Sequence, residues 1–279
     1  ALLLQRLAFE LVSSPKVPGR LIKRPQLPVA ATELVGRTQE LADVVQCLSG
    51  PACRLLNLVG EGGIGKTRLA LAAAAAAAPT FSHGACWVNL QPVYTADALV
   101  LAVADAVACP LSGAAPPDEQ LLRNLGGKEL LLVLDNYEQL IPHDDLLLAI
   151  LRAAPTVKLL VTSREVLHLQ EEWLYPVGRL DYPEAGRLGP GEITWKEAKT
   201  YSAVQLFAAR ARRRAPAFAA EAQCRAIVRI CQLTAGIPLA IELAASWISS
   251  LSCEEIAGGI AADLDTLTTP LRNVPDRHR

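Results

Sequence analysis

The sequence of 279 residues contains no Met, and it begins with Ala1. About six Met residues are expected at an ordinary usage of roughly 2%. Their absence indicates either a piece of a longer protein or a sequence from which modified Met residues have been dropped, so that some apparent spacings are too short. The sequence also has no excess of charge of one sign, because it contains 27 Lys and Arg residues and 28 Asp and Glu residues. The net charge of -1 argues against bulk attraction to nucleic acid or to an anionic membrane, although it does not exclude a local patch.

Cysteine pairs with CxxC spacing are absent as well. Most of the seven Cys residues lie among apolar residues, so we expect buried free thiols in a reducing cytoplasm and not a metal or redox site. No run approaches 18 apolar residues without a charge, and the Ala-rich stretch at 69–78 is expected to be a buried helix and not a membrane span. The four His residues have no metal-ligand spacing. These absences favour a cytoplasmic protein that does not act at a membrane.

Short apolar runs alternate with stretches of helical periodicity from residue 32 to residue 181. The runs predict strands at 54–59, 85–90, 129–134, 157–162 and 172–177. The periodic stretches predict helices at 39–48, 66–78, 96–108 and 144–152. Such alternation predicts an α/β fold, a parallel five-stranded sheet with helices on both faces.

The character of the chain changes at two places, which predicts its domains. Residues 1–31 carry prolines at 15, 18, 25 and 28, which prevent a regular helix, so the second half of this segment is predicted to be an extended linker. Residues 32–181 are expected to form the α/β domain. Residues 182–270 are expected to form a small all-α helical domain, with helices at 197–214, 221–234, 239–249 and 253–263.

The strongest motif is the run Gly-Glu-Gly-Gly-Ile-Gly-Lys-Thr at residues 60–67, which matches the P-loop pattern in full. Its glycines let the backbone curl so that N–H groups point at phosphate oxygens, and the following helix adds its positive dipole end. Lys66 is expected to reach the β- and γ-phosphates, and the Thr67 hydroxyl to bind Mg²⁺. We therefore predict that the chain binds ATP or ADP with Mg²⁺. The predicted nucleotide-binding residues of this segment are Gly60, Gly62, Gly63, Ile64, Gly65, Lys66, Thr67 and Arg68.

Two later strands end in polar residues that suit the same site. One ends in Asp135, which is expected to bind Mg²⁺ together with Thr67 as a Walker B carboxylate. Asn136 occupies the place where many ATPases carry a catalytic acid, so Glu138 is the candidate for polarising the attacking water, and a solvated loop carboxylate is the alternative. Arg164 is the candidate cation at the γ-phosphate, and a structural salt bridge is the alternative. The predicted catalytic residues are Lys66, Asp135, Glu138 and Arg164.

A cluster of four arginines lies at the end of a predicted helix. Dipole complementarity and solvation explain it adequately, and a phosphate or partner contact is the alternative. Its members are Arg210, Arg212, Arg213 and Arg214.

Five motifs in order resemble the STAND class of P-loop ATPases, specifically the NB-ARC-like (AP-ATPase) domains of large bacterial transcriptional and signalling regulators. The motifs are 34–37 with Glu40, the P-loop, 134–136, 162–164 and 236–240, the last being the family's GLPL motif with Ile in place of Leu. The resemblance covers residues 27–279, and five ordered motifs are much more specific than any one of them.

The resemblance implies contacts that spacing does not show. Val35, Gly36 and Arg37 would lie beside the adenine and ribose, and Pro238 would pack on the adenine from the helical domain. Arg164 would act as the sensor arginine, and its strand would lie between the Walker A and Walker B strands. Residues 1–12 would be the tail of an N-terminal effector, and residues 271–279 the start of a winged-helix domain that is missing here.

The function implied by the resemblance is a nucleotide-driven switch with slow ATP hydrolysis. ADP would clamp the two domains together, and exchange for ATP would favour an open, self-associating form. Its partners would be the adenine nucleotide and its own effector, winged-helix and sensor domains, with DNA contacted only through a module outside this segment. A metabolic or DNA-processing P-loop enzyme and a nucleotide-binding scaffold without hydrolysis are the alternatives.

Overall fold

The computed structural model describes residues 27–30, 32–184 and 193–262. The predicted effector tail, most of the proline-rich linker and the predicted winged-helix start lie outside these residues. So does most of the loop that precedes the helical region.

Five strands form one parallel sheet in the order β2-β3-β4-β1-β5. The strands are β1 (Leu55–Val59), β2 (Ala85–Asn89), β3 (Leu130–Asp135), β4 (Val157–Ser163) and β5 (Glu172–Pro176). Every position of β3 is buried, which explains its continuous apolar run, because both faces of a parallel sheet are covered. The five-stranded parallel sheet predicted from the sequence is confirmed. The strand that leads to Arg164, β4, lies between β1 and β3, as the resemblance implied.

Helices cover both faces of this sheet. Leu132 and Leu134 of β3 face one apolar cluster, whereas Leu131 and Val133 face another. The first cluster includes residues of α3 (Ala96–Ala106), α4 (Pro117–Leu125) and α5 (Asp145–Ala153), and the second includes residues of α1 (Thr38–Ser49) and α2 (Lys66–Ala77). Helix α4 was not predicted, because it is short and begins at a proline pair; Pro at the first helical position is nevertheless compatible with a helix.

A helical region with its own apolar core follows the sheet, as predicted. Its helices are α6 (Trp195–Ala198), α7 (Ser202–Arg214), α8 (Cys224–Leu233), α9 (Pro238–Ser246) and α10 (Cys253–Ala262). The single helix predicted at 197–214 is wrong, because Tyr201 is extended and the Ser202 hydroxyl accepts a bond from the Asp181 amide, so that a new helix begins there. Within the described ranges, no helix has both the length and the apolar character needed to cross a membrane.

The seven cysteines are all free thiols, and five of them are buried, as the sequence predicts. Cys47 and Cys224 are the two that are only partly buried. Burial raises the pKa of Cys86 to about 11 and the pKa of Cys231 to about 12. These thiols therefore stay protonated and packed at neutral pH.

Candidate nucleotide-binding site

The P-loop joins the end of β1 to the start of α2 in a conformation that only glycine adopts easily. Gly63 and Gly65 have φ angles of 76° and 97°, in the left-handed region. Gly60 is required for a different reason, because a Cβ there would lie 2.7 Å from the Val177 carbonyl oxygen. The side chain of Ile64 is buried, and Ile64 is also one of the residues that line a smaller cavity beside the loop. The glycine spacing of the motif is thus explained by backbone geometry.

The ammonium group of Lys66 lies within this loop. Its Nζ donates to the carbonyl oxygens of Gly60, at 2.7 Å, and of Glu61, at 3.0 Å. Lys66 also lines a cavity of about 230 Å³ in front of the loop. Lys66 therefore places a positive charge at the wall of this cavity, where it would attract an anionic ligand.

The two predicted magnesium ligands lie together at the edge of the sheet. The Thr67 hydroxyl donates to Asp135 Oδ1 at 2.8 Å, and the Thr162 hydroxyl donates to the same oxygen at 2.6 Å. Asn136 Nδ2 donates to the other carboxylate oxygen at 3.0 Å. Asp135 is only 4% exposed, and these bonds help to stabilise its buried charge. Thr162 was part of a predicted motif, but its bond to Asp135 was not predicted.

This oxygen pair has the chemistry of a magnesium site. Mg²⁺ is usually bound by one or two carboxylates together with substrate phosphates and water, and Thr67 and Asp135 supply one hydroxyl and one carboxylate. Over the described part of the chain, no group of three or more His, Cys, Asp or Glu side chains is arranged to hold a metal. A cation here would therefore depend on ligands from the nucleotide.

Glu138 and Arg164 form an ion pair at the cavity wall, with Arg164 Nε 3.3 Å from Glu138 Oε1. The Arg164 side chain is 51% exposed and the Glu138 side chain is 21% exposed. The second Glu138 oxygen, Oε2, is buried without a hydrogen-bond partner among the described residues. Arg164 also lies over the loop, because a Cβ on Gly62 would be 3.4 Å from its Nη2. Arg164 therefore forms the ion pair that was considered as its alternative role, and it also lines the cavity in front of the loop.

The helical region closes the cavity from the other side. The Leu239 amide, in the first turn of α9, donates to the Gly63 carbonyl at 3.2 Å. The cavity brings together nine of the predicted residues with three others. The predicted ones are Gly62, Gly63, Gly65, Lys66, Thr67, Arg68, Glu138, Arg164 and Pro238, and the others are Asn136, Leu239 and Glu242.

The residues expected beside the base line a second, much smaller cavity of about 30 Å³. Val35, Arg37 and Pro238 are among its walls. Gly36 packs tightly against α7, since a Cβ there would lie 2.2 Å from Ser202 Cβ. Arg37 is 4% exposed, and its guanidinium donates to the Ile64 carbonyl at 3.1 Å and pairs with Glu40. This cavity is much smaller than the one in front of the loop, so it would have to widen to admit a nucleobase.

A larger cavity, of about 350 Å³, lies elsewhere, between α3, α4 and the start of α5. Its charged rim residues are Asp97, Asp118 and Asp145, and its floor includes Leu146. It has no glycine-rich loop, Lys or Arg among its walls, so it does not suit a phosphate.

Comparisons with known proteins agree with this geometry. The chain is 37% identical over 212 residues to a Mycobacterium tuberculosis protein that carries the provisional name of an HTH-type transcriptional regulator. The match covers 74% of this chain and 22% of that protein. It is 33% identical over 234 residues to an uncharacterised protein of the same species, covering 82% of this chain and 54% of that protein. The chain thus spans about a fifth of the length of the first relative and about half of the length of the second. No family model matches it.

Among solved structures, the chain is similar to the ORC2 protein of Aeropyrum pernix, solved as ADPNP–ADP complexes. The TM-score is 0.56 at 14% identity, and the match covers 85% of this chain and 70% of that one. The chain has an AAA+/P-loop-like fold. The predicted P-loop fold is therefore confirmed, together with a relationship to provisionally named transcriptional regulators.

The candidate site has one further feature that the sequence did not predict. Glu242 Oε1 accepts bonds from Arg68 Nη1 at 2.6 Å and from Arg210 Nε at 2.9 Å. The three residues come from α9, α2 and α7. The available signal was a lone carboxylate in the otherwise apolar helix α9, because such a group needs a cationic partner when it is partly buried.

Proposed function

We propose that this NTPase is an ATP/ADP-binding switch of a multidomain signal-transduction or transcriptional regulator. The observation that carries the proposal is the direct contact of the helical region with the phosphate loop, through the bond from the Leu239 amide to the Gly63 carbonyl. Because residues of α9 line the site together with the loop, we expect nucleotide exchange to involve separation of α9 from the loop. The greater length of the relatives supports further modules, and the cytoplasmic location stays a prediction.

In this proposal the P-loop amides and Lys66 bind the phosphates. Thr67 and Asp135 would hold Mg²⁺, which supplies neutralisation of phosphate charge when bound. Val35, Gly36, Arg37 and Pro238 would surround the base once the small cavity widens. Residues 32–181 and 182–270 would act as two domains that move relative to each other.

The proposed switch depends on a difference between ADP and ATP. A nucleotide shifts such an equilibrium only by its different affinity for the closed and open forms. The exposed Arg164 lies over the loop beside Glu138, so an additional phosphate there would compete with Glu138 for the guanidinium. ADP would favour the form in which α9 rests on the loop, and ATP would favour the open, self-associating form.

The nucleotide that the protein retains tests the binding site. We expect ADP to be released by acid from the purified protein and identified by chromatography. Lys66→Ala is expected to abolish retention, because the loop loses its phosphate-facing cation, whereas Lys196→Ala, on the exposed face of α6, should retain the wild-type amount. Nucleotide that stays bound to Lys66→Ala would show that the site is wrongly assigned.

A scaffold that binds nucleotide without hydrolysing it is a second candidate, favoured by Asn136. This residue stands where many ATPases have an acid, and its side chain donates to Asp135. We expect slow hydrolysis, orders of magnitude below the enzyme median of about 10 s⁻¹. Glu138→Ala should reduce that rate further if Glu138 orients the attacking water. If the wild-type protein hydrolyses no ATP, the scaffold is favoured. A wild-type rate near the median would favour a metabolic enzyme.

A further inference from the structure

Two guanidinium groups from different parts of the fold converge on one oxygen of Glu242. Arg68 follows Thr67 directly on α2, Arg210 lies on α7, and Glu242 lies on α9. Arg68 and Glu242 line both the phosphate-side cavity and the small base-side cavity. The carboxylate therefore stands at the wall between the two halves of the proposed nucleotide site.

The same two guanidinium groups also hold the chain segment that precedes Leu34. Arg68 Nη2 donates to the Thr32 carbonyl at 3.2 Å and to the Glu33 carbonyl at 2.8 Å, and it bonds the Thr32 hydroxyl. Arg210 Nη2 donates to that hydroxyl at 3.1 Å. Three parts of the chain, the entry segment at 32–33, the P-loop helix and the helical region, thus meet in one ionic cluster.

We infer that Glu242 is a positioning residue that couples nucleotide occupancy to the docking of α9 and of residues 32–33. This inference rests on the proposed function, because it needs a nucleotide in the site. With two cations and one anion, the cluster keeps a net positive charge beside the phosphate cavity. Its members are only partly buried, and Arg210, at 13% exposed, is the most enclosed. Removal of one carboxylate oxygen releases both guanidinium groups, since each uses Glu242 Oε1.

A guanidinium group bonds phosphate oxygens as readily as carboxylate oxygens. Arg68 lines the phosphate-side cavity, so a bound nucleotide would hold its guanidinium group in place next to Glu242. While Arg68 stays on Glu242, the entry segment and α7 are held against the loop. A bound ADP would therefore protect the entry segment, and loss of the bonds to Glu242 would let α9 separate from the loop and the nucleotide leave faster.

The test measures the dissociation of a fluorescent ADP analogue from the 279-residue chain by stopped flow. Glu242→Gln is expected to raise the dissociation rate about tenfold, which corresponds to about 1.4 kcal/mol. Arg210→Gln should have a similar effect, and the double variant should be no faster than either single variant, because both act through one oxygen. Glu254→Gln and Arg212→Gln, on exposed positions of α10 and α7, are the matched controls and should remain at the wild-type rate.

Hydrogen–deuterium exchange separates coupling from a merely structural role. In the wild type we expect ADP to protect residues 32–36, and in Glu242→Gln that ADP-dependent protection should disappear, while Glu242→Asp restores part of it. A purely structural role would instead raise exchange equally with and without ADP, and that result overturns the inference. If Glu242→Gln fails to fold, Arg210→Gln carries the same measurement.

The two proposals fail in distinguishable ways. If the wild type binds the ADP analogue and both variants release it within twofold of the wild-type rate, the positioning role is refuted and the switch is not. Additive effects in the double variant also refute it. If the wild type does not bind the analogue, the proposed nucleotide site falls, and the role of Glu242 falls with it.

Discussion

Replacement of Gly63 by Ala tests whether the helical region rests on the phosphate loop. Gly63 has a φ of 76°, where an L-residue costs about 1–2 kcal/mol. A Cβ there would lie 2.9 Å from Leu239 Cβ and 3.1 Å from Leu239 Cδ2. The Leu239 amide also donates to the Gly63 carbonyl. An added methyl group therefore has to displace either the loop or the start of α9.

Gly84 provides a matched control for the backbone contribution. Its φ is 70°, and no heavy atom lies within 4 Å of a Cβ built on it. Gly84→Ala is thus expected to cost about 1–2 kcal/mol of unfolding free energy from backbone strain alone. Gly63→Ala has the same backbone strain. It also costs about 1–3 kcal/mol from overpacking and loses part of a hydrogen bond that contributes about 1 kcal/mol. We expect it to be more destabilising than Gly84→Ala by about 1–4 kcal/mol.

Urea unfolding followed by circular dichroism, without nucleotide, measures both free energies. Hydrogen–deuterium exchange adds a local readout, and residues 238–246 should exchange faster in Gly63→Ala but not in Gly84→Ala. If the two variants unfold within about 0.5 kcal/mol of each other and α9 is equally protected, the contact does not exist in solution. The closed arrangement on which the switch proposal depends would then be refuted.

Three further predictions concern stability and the metal. Arg54 donates to three backbone carbonyls at 2.6, 2.7 and 3.1 Å, so Arg54→Met should lower the unfolding free energy in urea by about 2–4 kcal/mol, whereas Arg123→Met, which breaks only an exposed helical ion pair, should stay within about 0.5 kcal/mol. Burial raises the pKa of Cys86 to about 11 and of Cys231 to about 12. Between about pH 9 and 11 the unfolded chain therefore loses thiol protons that the folded chain keeps. The free energy of unfolding should keep its full value below pH 9 and fall above it by about 1.4 kcal/mol per pH unit for each thiol. Urea unfolding at pH 8 and pH 10 measures this fall, and Cys231→Ala should reduce it. Thr67→Val should remove the effect of Mg²⁺ on ATP affinity in calorimetric titrations, and Thr67→Ser should keep it; an unchanged Mg²⁺ effect in Thr67→Val would exclude this hydroxyl as a ligand.

The sheet and the phosphate loop were predictable because consecutive residues determine them. Strand β3 lies in the interior, so it is apolar until Asp135 reaches the edge of the sheet. Gly63 and Gly65 have positive φ angles within the loop, and Gly60 is required by the close approach of Val177. Thr67 and Asp135 come from two separate motifs, which were both predicted to bind Mg²⁺, and their direct hydrogen bond was not predicted.

Elements that depend on neighbours were missed. Helix α4 has only nine residues and begins after Pro116, so its sequence alone resembles a loop. The break before Ser202 exists because the chain at Asp181 bonds back to the start of α7, a contact across 21 positions. No periodic pattern in the sequence predicts such a contact. The sequence consequently predicted one long helix where the structure has two.

The individual contacts between the loop and the helical region could not be predicted from residue patterns for the same physical reason, and only the resemblance implied that Pro238 lies at the site. The phosphate cradle is built by eight consecutive residues, whereas the cluster at Glu242 joins residues 32 and 174 positions apart. Each such bond contributes about 1 kcal/mol and leaves no repeating signature in the chain. A P-loop by itself therefore predicts binding of phosphate, not coupling of that binding to motion. Gly63 contacts α9 and Glu242 of α9 contacts Arg68 of α2, so variants at these two positions test the coupling between the loop and the helical region.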